Sequence, residues 1–230
     1  MDRQIGFKTR VRNALVSGAS LYYSLFVCRD YLVLSDAFVR RPYYIISAEK
    51  DNFLHLTGVK TALSPTIFFE KCLNGSITED DYDLTSNGQK DKATKGSIRR
   101  KIKALPMIGN LLLPGSTVEE NFRKNTVYCS FASSDGGCTM GFIAVPKARP
   151  KTLLIGDELD KTKAAPLKIV LSKTRSESKF SSLDFGSVDD LIEAYGSIEK
   201  MLSDELLCRV GKIAEDAEAG REELPAPRAK

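Results

Sequence analysis

The feature that most restricts what this chain can fold into is a succession of four β-prone runs in its second half, at residues 127–132, 138–145, 152–155 and 167–172. Val127-Tyr128-Cys129-Ser130-Phe131 and Leu167-Lys168-Ile169-Val170-Leu171 alternate apolar with polar side chains. Successive side chains of a strand point to opposite faces, so this spacing buries one face of a sheet. The linker Ser133-Ser134-Asp135-Gly136-Gly137 carries the glycines a tight reversal needs and reads as a hairpin loop. Together the runs predict one antiparallel sheet with at least one covered face. Earlier runs at 22–27, 31–35 and 43–48 are also rich in Tyr, Phe, Val, Ile and Leu. Broken by Cys28-Arg29-Asp30 and by residues 38–42, they read as strands of a meander, with Pro42 at a strand start or edge.

Helical spacing appears in five other places, which makes the class α+β. Residues 7–19 place Val11, Ala14 and Leu15 on one face and Lys8, Arg10 and Arg12 on the other, a basic face open to solvent. Ser64 and Pro65 open a helix whose apolar face is Phe68, Phe69, Cys72 and Leu73, and Asn74-Gly75 stops it. Residues 78–95 are polar and read as a surface excursion, with a turn at Ser86-Asn87-Gly88. Between Lys90 and Lys103 lie seven Lys or Arg against the single acid Asp91, with Ile98, Ile102 and Leu105 as an apolar stripe. This basic helix would attract phosphates, and it is equally a solvated charged face. Residues 106–125 hold an apolar knot and a capped turn at Thr117 with Glu120. Ser187 and Ser203 each fit the cap of a helix near the end of the chain. The expected organisation is an α+β domain over 1–186, a C-terminal helical extension over 187–220 and a disordered tail over 221–230.

Composition excludes several classes. Hydrophobic residues make up 42% of the 230 residues and charged ones 28%, as in an ordinary soluble globular protein. The five cysteines are scattered without a Cys-x-x-Cys, and a single histidine leaves no Cys/His zinc set, so neither metal nor cofactor is expected. Cys129 and Cys138 flank the hairpin; small buried thiols in a reducing cytosol fit them better than a disulfide. No secretory leader or membrane-length apolar run is visible, and the expected location is the cytoplasm. A P-loop, a dinucleotide-binding glycine fingerprint, a nucleophile elbow and a His-Glu-x-x-His are all absent. The net charge of +4 is too small to name a partner by itself.

The one histidine, His55, sits in Asp51-Asn52-Phe53-Leu54-His55-Leu56-Thr57-Gly58-Val59-Lys60, directly before a Thr-Gly that reads as a strand end or tight turn. Imidazole titrates near neutral pH and suits proton transfer, although a ring between two leucines also fits a packed residue bound to backbone. The remaining groups are hydroxyls and cations: Thr57, Lys60, Lys173, Thr174 and Arg175, with the basic helix around Arg99 and Arg100. Such a set suits metal-independent RNA cleavage, in which the 2′-hydroxyl of the RNA is the nucleophile and the enzyme moves protons and stabilises the phosphorane.

The stretch Asp51 to Lys60, with Asn52-Phe53 before His55-Leu56-Thr57-Gly58-Val59, resembles the signature of a phage-associated nuclease family related to barnase, EndoU, colicin nucleases and RelE toxins, in its fourth group. Phe68-Phe69-Glu70-Lys71-Cys72-Leu73-Asn74-Gly75 is similar to a helix of that family. Pro150-Lys151-Thr152-Leu153-Leu154 and residues 167–173 are similar to its closing strands, so the likeness spans about residues 31–180. The resemblance implies a small antiparallel sheet packed on helices, ribonuclease activity, a setting in phage or mobile elements or toxin systems, and His55 as general acid or base.

The leading expectation is therefore a metal-independent ribonuclease or nuclease-like toxin domain. His55 would serve as acid or base, Thr57 and Lys60 would orient, Lys173 and Arg175 would stabilise the phosphorane, and Arg99, Arg100 and Lys101 would hold the RNA backbone. RNA, with tRNA among the candidates, would be the substrate, and a neutralising antitoxin or immunity protein a partner; no membrane is involved. Glu215-Asp216-Ala217-Glu218 would be an acidic mask for the basic helix. The alternatives are a catalytically silent module that binds nucleic acid or protein, and a structural accessory protein without nucleic-acid contact.

Overall fold

The computed structural model describes residues 6–85 and 91–211. The turn at 86–88, Lys90, the acidic segment 215–218 and the tail 221–230 lie outside the described residues.

Helix α1 (Phe7–Tyr22) runs without a break into a π-helical turn, Tyr23–Val27. The strand expected at 22–27 does not form. Its β-prone side chains serve a helix because Tyr22 and Phe26, one turn apart, stack at 5.8 Å on the buried face. Tyr22 also packs on Phe53 and Phe69, with ring centroids 5.5 and 5.9 Å away. Tertiary packing here overrides local propensity. Arg12 is not on a solvated face either. Its guanidinium donates to the carbonyls of Ile77 (2.7 Å) and Gly75 (3.0 Å), tying α1 to the end of the next long helix.

Strands β1 (Arg29–Ser35) and β2 (Tyr44–Ser47) follow, then the short helix α2 (Phe53–Thr57) and helix α3 (Pro65–Leu73). The α3 boundaries follow the expected chemistry: Ser64 Oγ accepts from the Ile67 N–H, and Gly75 takes φ 71°. The basic helix α4 (Asp91–Ala104) has Ile98 fully buried and Ile102 partly so. After it come β3 (Thr117–Glu120), the small hairpin β4 (Arg123–Lys124) and β5 (Val127–Tyr128), β6 (Phe131–Ser134), β7 (Cys138–Ala144), β8 (Ala148–Ile155), β9 (Ala165–Thr174), β10 (Ser182–Phe185) and α5 (Val188–Ile198). A further helical segment covers 204–211.

The sheet is mostly antiparallel and its pairings return on themselves: β1, β2, β8, β7, β6, β3 and β9 are neighbours in that order, and β9 pairs again with β1. β10 lies on β9 outside this circuit. One parallel contact, Ile46 opposite Ala148, joins β2 to β8. The capped turn expected at Thr117 is strand β3 instead. Glu120, at its end, accepts the N–H groups of Val39 and Arg40 (both 3.0 Å) and the Tyr44 hydroxyl (2.6 Å). It thereby anchors the loop between β1 and β2.

β1 is buried on both faces. Tyr31 and Val33 join the main core with α1, α2, α3 and α4, while Leu32 and Leu34 join Ile169, Leu171, Leu191, Leu202 and Leu206. The C-terminal helices thus share a core with the sheet rather than standing off it. Cys138 pairs in register with Ile155, and both it and Cys129 are buried free thiols, pushed up to about 12 and about 11 by burial. The Cys129 sulfur sits against Gly141, where an added Cβ would come within 2.5 Å, so only glycine admits that approach.

Candidate functional site

His55 lies on a helix rather than at the end of a strand. After β2, Glu49 and Asn52 form a reciprocal capping box across the 3-10 turn Lys50–Asn52, and the chain winds directly into α2. Phe53, Leu56 and Thr57 turn inward and are fully buried, which leaves His55 facing out. Thr57 uses its hydroxyl within the helix end, donating to the Leu54 carbonyl (2.8 Å) and accepting from the Val59 N–H (3.3 Å). Gly58, at φ 74°, ends the helix in the left-handed conformation. His55 and Lys60 line a cleft of about 410 Å³ with Leu54, Gly58, Val59 and Thr61. Lys60 is fixed at its rim by paired backbone bonds to Asp83 (3.2 and 2.8 Å).

Helix α4 packs Ile98 inward beside α2 and so lays Lys101 over Gly58; a Cβ there would meet Lys101 Cδ at 2.8 Å. The Lys101 ammonium donates to the His55 carbonyl at 2.8 Å. Burial alone pulls this lysine down to about 8. Lys101 and Arg100 also line an adjoining cleft of about 260 Å³ with Ser97, Lys124, Asn125 and Glu158. Lys124 is ion-paired with Glu158, and Asn125 takes φ 52° at the tip of the β4–β5 hairpin. Arg99 points elsewhere, its guanidinium 5.2 Å over the Phe7 ring.

Lys173 and Arg175 line neither cleft. The Arg175 guanidinium is engaged by Asp30 (3.2 Å), Glu49 (3.2 Å), the Ser47 hydroxyl (3.0 Å) and the carbonyls of Val27 and Ala48. Asp30, only 2% exposed, also pairs with Lys147 at 2.9 Å. Lys173 donates to the Glu177 carbonyl and lies 5.9 Å over the Phe180 ring. The fold therefore places His55 and Lys60 on one cleft and Arg100 and Lys101 on another, linked by the Lys101 bond to the His55 carbonyl, keeps Thr57 buried in the end of α2, and leaves Lys173 and Arg175 in a separate network.

Residues 19–145 match the model of a family described as phage-Barnase-EndoU-ColicinE5/D-RelE like nuclease 4. The chain belongs to that family. Its description places it among phage-associated nucleases of the barnase, EndoU, colicin and RelE type. The match takes in α2, α4 and the β4–β5 hairpin, hence every residue named in the two clefts except Glu158. It begins earlier than the sequence likeness at residue 31 and stops before β8 and β9, so Lys173 and Arg175 fall outside it. Searches of curated proteins and of solved structures found no match. Among the described residues no helix is long and apolar enough to cross a membrane.

Ser97, Lys124, Asn125 and Glu158 are the site candidates that sequence reasoning missed. Arg123-Lys124-Asn125 was visible as a polar cluster between β-prone runs, but its approach to α4 depends on contacts distant in sequence.

Proposed function

We propose that this chain is a metal-independent endoribonuclease acting at the clefts between α2, α4 and the β4–β5 hairpin. One observation carries the reading: a lysine with its pKa drawn down to about 8 is bonded to the carbonyl of the only histidine, and that histidine faces an open cleft. A titratable group perturbed by desolvation in a cleft marks a candidate for proton-transfer chemistry. Membership of a nuclease family supports a nucleic acid as the substrate.

In this mechanism His55 accepts the proton of the 2′-hydroxyl as its oxygen attacks phosphorus. Lys101, as the ammonium ion, gives a proton to the departing 5′-oxygen. The P–O5′ bond breaks as the P–O2′ bond forms, leaving a 2′,3′-cyclic phosphate and a free 5′-hydroxyl. Lys60 and Arg100 hold the phosphate oxygens, and Thr57 acts as a positioning residue by closing α2. Arg99, Lys173 and Arg175 take no part in the chemistry. The natural target, tRNA being one candidate, would be cytoplasmic RNA, and a neutralising antitoxin or immunity protein would present acidic side chains to these clefts.

Incubating the protein with RNA in excess EDTA tests the reading. Cleavage to cyclic-phosphate ends is expected, lost in His55→Ala and lost in Lys101→Met. Intact RNA, or cleavage that survives both substitutions, rejects it. Arg100, which forms no ion pair among the described residues, beside the ion pair of Lys124 with Glu158, also favours a second reading, a binding module without catalysis. That reading predicts salt-sensitive RNA binding with no product.

A further inference from the structure

A larger groove lies on another part of the molecule, against the opposite side of the β4–β5 hairpin. It encloses about 710 Å³ between the β1–β2 loop, the end of β3 and the hairpin, and its wall includes Arg40, Arg41, Arg123, Tyr128, Ser130 and Lys163. Its one lining carboxylate, Glu120, is 7% exposed and already saturated by two backbone N–H groups and the Tyr44 hydroxyl. Lys163 is paired with Asp160 at 2.8 Å. By contrast, none of Arg40, Arg41 and Arg123 forms an ion pair among the described residues. Arg41 lies 4.8 Å over the Tyr44 ring and Arg123 4.5 Å over the Tyr128 ring. The groove thus carries three guanidiniums without an ion pair among the described residues, against a single lining carboxylate that is buried in its wall.

Tyr128 is the second feature. It is 53% exposed, an unusual position for a large ring on a two-residue strand, and Ile143, 37% exposed, also lines the groove. The reason it stands out is local. Asn121, at φ 57°, turns the chain out of β3 so that Phe122 drops into a small buried cluster with Cys129. Arg123 then pairs with Tyr128 across the hairpin, which places both side chains on the groove side.

Cations that follow a backbone beside an exposed ring are the combination that holds single strands: phosphates bind the guanidiniums and a base stacks on the ring. A duplex keeps its bases stacked on one another and offers none to a lone tyrosine. We infer that this groove binds a single-stranded polynucleotide, with phosphates on Arg40, Arg41 and Arg123 and one base on Tyr128. Neither stacking nor phosphate contact requires proton transfer, so the inference stands or falls apart from cleavage at His55.

The test uses the full chain and fluorescein-labelled decamers of 2′-O-methyl RNA, which lack the attacking hydroxyl, beside DNA of the same sequence and the corresponding blunt duplexes. Fluorescence anisotropy should show at least one single strand binding more tightly than its duplex; comparison of the two single strands tells whether RNA or DNA is preferred. Tyr128→Ala should weaken binding about tenfold, within the range for one stacked base, and Tyr128→Phe should restore it. Arg40→Gln with Arg41→Gln should weaken binding and make it less steep in salt. Equal affinity for single strand and duplex, or binding indifferent to Tyr128→Ala and to the arginine pair, overturns the inference. Because all three substituted side chains are exposed, unchanged circular dichroism in each variant will certify the comparison. Cleavage of unmodified RNA, measured separately, decides the catalytic reading whatever the binding result.

Discussion

Lys101 has surrendered part of its hydration, and among the described residues its amine reaches the His55 carbonyl and no acid. The ordinary lysine value of 10.5 is lowered to about 8, so below pH 8 the proton is held in both folded and unfolded chains and the desolvation opposes folding. Between about 8 and 10.5 the unfolded chain binds more protons, and this opposition fades as pH rises. Lys101→Met should therefore compare more favourably with the wild type at pH 7 than at pH 10 in thermal melts. For catalysis the sign is reversed. The proposed donor is lost as pH climbs through about 8, so wild-type cleavage should fall there and lose that limb in Lys101→Arg. A cleavage rate flat from pH 7 to 9.5 would remove Lys101 as the acid. Arg175 illustrates the opposite situation, a cation fully spent on structure. Arg175→Met leaves the buried Asp30 with Lys147 and should cost about 2–3 kcal/mol, just under the range for breaking a fully buried pair because the guanidinium is a third exposed. Its folded fraction should still cut RNA; a stable but inactive variant would return Arg175 to the chemistry.

At the scale of elements, the pairing of α2 with α4 rests on one glycine. Gly58 supplies both the left-handed stop of α2 and the empty space over which Lys101 passes. Gly58→Ala should lose about 1–2 kcal/mol from the left-handed strain. It should also push Lys101 aside, so that urea melts show a modest loss while cleavage at full folding falls much further. Equal activity per folded molecule would show that Lys101 is not held by this contact. The elements also show where local pattern carried the fold. Helix α3 was readable because its cap, its proline and its glycine all act within a turn of themselves. The run at 22–27 carries no such local mark, because its aromatic side chains are equally at home in a strand. Only Phe53 and Phe69, far along the chain, make the helix the better arrangement.

For the molecule as a whole, the sheet needs its C-terminal cover. Leu32, Leu34, Ile169 and Leu171 form the outer face of β1 and β9, and they are buried by Leu191, Ile198, Leu202, Leu206 and Val210. A chain ending at residue 186 would expose that apolar face, and patches of this kind promote association. Such a truncation should sediment as aggregates and lose its cooperative thermal transition; a monomer that melts normally would mean the helices are dispensable. Residues 187–211 are therefore better described as part of the fold than as an appendage to it.

Strand and helix identity over most of the chain, the stop at Gly75 and the basic face of α4 were written in the residues themselves, because each depends on side chains within a turn or a strand of one another. The closure of the sheet, the meeting of Lys101 with His55, the diversion of Arg175 to Asp30 and the groove beside Tyr128 were decided only by tertiary structure. Each of these joins groups from separate elements. Residue type announces what such a group is able to do, whereas the packing of the whole core determines which neighbour it finds.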